Sequence, residues 1–209
     1  MAVLRAHRIR IGRPGRTPAG EAGEAGKAAV RPEAAAAGAA GVRALAVLRV
    51  ATGAVFLWAF LDKAFGWGWA TPSKGAWVNG GSPTRGFLGH VAAGPLQSVF
   101  HSWAGAWWAD WLFMAGLLGI GLALTAGVAL RIAAAGGAVL MALMWAAEWP
   151  PARHLSDGSA SMSTNPLVDY HVVYALVLVA VAVLGAGGTW GLGRRWAALP
   201  VVRDHPWLR

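Results

Sequence analysis

The sequence predicts an all-α membrane protein, a four-transmembrane-helix bundle with a short interfacial helix in its first outer loop. Three observations predict it. Hydrophobic residues make up 56% of the 209 residues and charged ones only 13%, against roughly 25% charged in an average soluble domain. Four apolar stretches each come near the roughly 20 residues that a helix needs to cross the hydrocarbon core. The chain also carries 29 glycines and 13 tryptophans. Small residues let helices pack closely in lipid, and tryptophan rings anchor helix ends at the headgroups.

Residues 1–41 form a basic tail, Arg-rich and then Ala/Gly/Glu-rich, with Pro14, Pro18 and Pro32. They hold no apolar run and no helical stripe, so a disordered cytoplasmic segment is expected. No apolar core follows the basic start, so a signal peptide is not expected. A four-helix membrane domain is expected over 42–190, with spans at about 44–65, 106–126, 128–149 and 168–186. Residues 191–209 are expected as a cytoplasmic tail. In lipid, the helix is the open-ended way to satisfy every backbone group. The link between the second and third spans is only a few residues, which predicts a tight helical hairpin. Between the first two spans, FLGHVAAGPLQSVFHSWAG (87–105) is apolar but interrupted. It predicts the short interfacial helix.

The net charge of +9 suggests nucleic acid first. Its placement argues otherwise. Thirteen Lys and Arg fall in the two tails and the 127–131 turn, four on the opposite side, and Arg49 inside the first span. By the positive-inside rule both termini are cytoplasmic, and the partner is the lipid bilayer rather than nucleic acid. There is no cysteine, which excludes disulfides, thiolate metal sites and thiol redox chemistry.

Charges in or beside a span cost a few kcal/mol on insertion scales, and each marks a functional position by default. Arg49 lies about one and a half turns into the first span, and Lys63 falls about 40° from it around the helix. Both also fit cations that snorkel to phosphates. Each span carries a carboxylate near its outer end: Asp62, Asp110, Glu148 and Asp169. Asp110 and Asp169 suit helix N-termini, where the dipole favours an anion. Asp62 and Glu148 sit at C-termini and need a partner. The four acids are expected to converge on one polar cavity at the bundle mouth. His171 and Tyr174, at i and i+3, share a helix face. A group of Arg49, Lys63, Glu148, His171 and Tyr174 would suit a quinone-like headgroup. No spacing matches a metal motif, so no metal is expected. Met141, Trp145 and Glu148 form a further helical stripe. Gly116, Gly119, Gly121, Gly136 and Gly137 read as close-packing positions.

From Ala44 onward the chain resembles the DoxX family of small bacterial membrane proteins. The carrying residues are LRVATGAVFLWAFLDKAFG with Arg49 and Lys63, WADWLFMAGLLGIGLALTAGVALRIAA with Arg131, DYHVVYALVLV, and the ending GAGGTWGLGRRWAALPVVRDHPWLR. Asp110 stands where the family pattern has Glu more often. The resemblance implies a bacterial plasma-membrane location and a role beside redox or sulfur enzymes. One such partner class is a thiosulfate:quinone oxidoreductase. The catalytic residues are unknown from sequence. The favoured expectation is a non-catalytic subunit or scaffold that docks a membrane or peripheral redox protein. The alternatives are a quinone-contacting subunit and a small transporter or lipid-binding bundle, in which homo-oligomerisation would thicken the wall.

Overall fold

The computed structural model describes residues 19–209, with side chains from residue 38 onward. The expectation for residues 1–18 lies outside the described residues. The chain divides into two compact units, 1–40 and 41–209, and the second carries everything below. Among the described residues all regular elements are helical: α1 (Ala19–Phe65), α2 (Arg85–Gly89), α3 (Gln97–Trp103), α4 (Trp107–Ala126), α5 (Leu130–Glu148), α6 (Tyr170–Val183), α7 (Gly193–Ala198) and α8 (Pro200–Asp204). Helix α1 is described from Ala19 onward, and residues 19–41 are helical where disorder was expected. The run AAAAGAAG carries the strongest helix former, and Pro32 does not stop it.

Among the described residues three helices are long and apolar enough to cross a membrane: Gly38–Phe65 within α1, α4 and α5. Helix α6 is apolar but has 14 residues, about 21 Å at 1.5 Å per residue. Its bounds have local causes. Asp169 caps its start, Oδ1 accepting from the N–H groups of His171 at 3.0 Å and Val172 at 3.2 Å. Past its end, Gly185 takes the left-handed conformation at φ 65°.

Contacts fix an up-down-up-down order. A Cβ at Gly53 would meet Thr125 Oγ1 at 2.7 Å, and one at Gly121 would meet Leu57 Cγ at 2.7 Å. Numbers rise along α1 as they fall along α4, so the two are antiparallel. Helices α4 and α5 form the expected hairpin. Gly127, at φ 72°, closes α4 with Gly127 N–H donating to Leu124 O at 3.1 Å and Val128 N–H to Ala123 O at 3.0 Å. This paired closure uses orphan carbonyls of the last turn. Helix α6 returns along α5, with Gly137 under Leu178 and Tyr170 beside Glu148. The shared core holds Phe56, Met114, Ile120, Leu124, Met141 and Leu178.

Large apolar side chains also point outward in mid-helix: Leu112 is 68% exposed, Val139 61% and Leu176 64%. In water such a belt would be an aggregation hazard; in lipid it is the solvated face. Trp69 and Trp107 project at helix ends, where anchors were expected.

The loop between α1 and α4 holds two short helices, α2 and α3, where one was expected, because the GPL segment at 94–96 breaks the run. Residues 191–209 are not a loose tail. Leu192 N–H donates to Ala126 O at 2.7 Å, Trp196 Nε1 to Leu208 O at 2.7 Å, and Arg131 N–H to Arg209 O at 2.8 Å. The Arg131 guanidinium donates to Pro206 O at 2.9 Å. Arg131 therefore pins the chain end to the start of α5.

Candidate functional site

The residues expected in one group divide between the two ends of the bundle. Arg49 is fully buried. Its guanidinium donates to the carbonyls of Leu124, of Thr125 at 2.9 Å, of Thr189 at 3.1 Å and of Trp190 at 3.0 Å. It ties the C-terminus of α4, where the dipole favours a cation, to the segment after α6. Glu148 lies at the far end of the 19-residue α5, roughly 28 Å away by helix rise. Arg49 thus joins no site with Glu148 or His171. It does not snorkel either, because four carbonyls replace the phosphate contacts.

The four acids do not converge on one cavity. Asp62 is buried and accepts from Trp69 N–H at 3.2 Å and Ala70 N–H at 3.0 Å, folding the loop back over the end of α1. Asp110 accepts from Ser82 Oγ at 2.9 Å, Thr84 N–H at 2.9 Å and Thr84 Oγ1 at 2.6 Å. Each of these two carboxylates holds a loop, Asp62 through both oxygens and Asp110 through Oδ1. Asp157 is likewise engaged. Ser159 donates to it from Oγ at 2.6 Å and N–H at 2.9 Å, holding its carboxyl below the usual range.

Glu148 and Asp169 do meet, around His171. His171 Nδ1 lies 2.8 Å from Asp169 Oδ2 and 3.9 Å from Glu148 Oε2. Tyr170 Oη donates to Glu148 Oε1 at 2.6 Å. His171 is 1% exposed, and its Nε2 has no partner among the described residues. The polar contacts of its ring therefore all run through Nδ1, toward the carboxylates. Tyr174, expected here, instead packs edge-on against Phe56 with centroids 6.4 Å apart. Tyr170 takes the place expected for it, because the ring next to the cap turns toward the end of α5.

A separate apolar cavity of about 450 Å³ opens between α4, α5 and the α2–α3 loop. Phe87, Phe100, Leu112, Phe113, Leu140 and Met144 line it, and Lys63 is its one charged wall residue. Lys63 Nζ stands 5.9 Å from the Phe113 ring centroid, a cation–π distance, and forms no ion pair among the described residues. The Asp110–Thr84 hydrogen bonds hold Thr84 and the loop that roofs this cavity. Gly136 lines it too, and a Cβ there would meet nothing within 4 Å. Lys63 was legible in the sequence but this cavity was not, since its walls come from five helices, α1 to α5.

No family model, curated protein or solved structure matches the chain.

Proposed function

We propose that the chain is a four-span protein of the bacterial plasma membrane, with both termini cytoplasmic. In this reading it is a non-catalytic subunit that holds a lipophilic, electron-accepting molecule of the quinone class for a redox partner. One observation carries the reading: a largely apolar cavity of about 450 Å³ with a single ammonium in its wall. That size falls within the roughly 300–1,000 Å³ typical of small-molecule sites, which are mainly apolar with a few placed polar groups. Lys63 Nζ offers three donors to a carbonyl or anionic head. Leu112, Val139 and Leu143 on the rim are exposed, so the mouth faces where acyl chains would lie. The cavity supports the binding half of the proposal, and the DoxX resemblance supports the redox half. The chain offers no cysteine for electron transfer.

Orientation rests on charge. Thirteen Lys and Arg fall in the two tails and the 127–131 turn of the sequence and four in the remaining loops and the end of the first span, which supports an outer-half position for the cavity and the His171 cluster. Helix α6 crosses as the fourth span if Ala186–Gly188, which follows it, extends its reach.

The same lining would also suit an acyl chain, the lipid-binding reading. Solvent extraction of protein purified in mild detergent, followed by mass analysis, separates the two. The account expects a stoichiometric quinone, reduced at least fivefold in Lys63→Met and in Gly136→Leu. The leucine would project into the cavity from a position whose Cβ meets nothing within 4 Å. A phospholipid in place of quinone would move the function to lipid binding. An empty parent protein, or variants that retain the molecule fully, would remove the cavity as the site.

A further inference from the structure

We propose that Glu148, Asp169 and His171 form a binding site for a first-row divalent cation of the zinc class. The proposal is independent of the Lys63 cavity and rests on three observations.

The first is convergence. One ligand atom from each residue lies within 4.8 Å of the others. Atoms bound tetrahedrally to zinc at about 2.1 Å lie about 3.4 Å from one another. The Nδ1–Oδ2 and Nδ1–Oε2 separations of 2.8 and 3.9 Å bracket that value. Side-chain rotation of a few tenths of an ångström brings both to it.

The second is the division of labour within each carboxylate. Asp169 Oδ1 is occupied by the helix cap, and Glu148 Oε1 by the Tyr170 hydroxyl. This leaves Oδ2 and Oε2 facing Nδ1. A ligating carboxylate steadied by a hydrogen bond through its other oxygen is a common metal-site arrangement.

The third is charge. Glu148 sits at the C-terminal end of α5, where the helix dipole disfavours an anion. Among the described residues neither acid pairs with Lys or Arg. Two carboxylates and an imidazole therefore share one place with no Lys or Arg to balance them, and a cation bound there would take the place of the Nδ1 proton shared with Asp169 Oδ2, releasing it to solvent. A mixed nitrogen and oxygen donor set suits zinc or its neighbours better than magnesium or calcium, which prefer oxygen alone. Glu148 is partly exposed, so an ion has a way in and coordination positions remain open to solvent.

The test uses the full chain without an affinity tag, purified in mild detergent, stripped with chelator and dialysed against buffered Zn2+. We expect one equivalent of zinc per chain, not displaced by a hundredfold excess of Mg2+. Glu148→Gln should weaken retention at least tenfold. Asp169→Asn should do the same while keeping an N-cap oxygen for α6. Asp157→Asn, in the same loop but outside the cluster, should bind as the parent does. Zinc should also raise the melting temperature of the parent and not of Glu148→Gln. A parent that retains no zinc, or equal retention by folded Glu148→Gln and Asp169→Asn, would overturn the proposal.

Discussion

Arg49 donates to four carbonyls drawn from two segments that lie 64 or more positions apart in the chain, judged from Thr125 and Thr189. Hydrogen bonds from a charged donor contribute roughly 1.5–3 kcal/mol each in net terms. Removing the donor also leaves the carbonyls dry. Arg49→Ala is therefore expected to lower stability by on the order of 3 kcal/mol, read from thermal unfolding in detergent. Arg49→Lys should recover only part of it, because an ammonium cannot reproduce the planar fork of the guanidinium. An alanine variant as stable as the parent would contradict the clamp. The sequence exposed Arg49 as a deep cation but not its partners, since backbone carbonyls carry no residue signature. The same limit hid the roles of Asp62 and Asp110. Their helix-end positions were legible, but the loop N–H groups that occupy them were not. Glu148 with His171 was legible in part, because each falls beside the same interhelical loop.

Helix packing depends on which glycines face a neighbour. A Cβ at Gly121 would come within 2.9 Å of Leu57 N, whereas one at Gly136 meets nothing within 4 Å. Gly121→Ala must push α1 from α4 and should cost about 1–3 kcal/mol, as overpacking does. Gly136→Ala should be neutral or stabilise by up to about 1 kcal/mol, through helix propensity alone. Paired unfolding curves check both, and equal effects would contradict the packing described. Sequence spacing marked all these glycines alike, because it shows small residues and not which face meets a partner. Element positions were more legible than element ends. The 127–129 hairpin was plain from its shortness and its glycine. Helix α6 came out shorter than the apolar run because Asp169 and Gly185 bound it from within.

At the scale of the molecule, the outward belt of leucine and valine favours lipid as the solvent. The pinned chain end adds a feature that hydropathy could not reveal: Arg131, counted for topology, also anchors Pro206 and Arg209. The proposed four-span topology puts the cavity and the His171 cluster in the outer half, and it requires α6 to cross. Because the chain has no cysteine, single cysteines can be placed without background. Ser163→Cys, between α5 and α6, and Ala198→Cys, after α6, are both at exposed positions. In sealed spheroplasts treated with a membrane-impermeant maleimide, the account predicts labelling of Ser163→Cys at once and of Ala198→Cys only after permeabilisation. Labelling of both from the same face would contradict the four-span topology and move the candidate sites out of the places assigned to them.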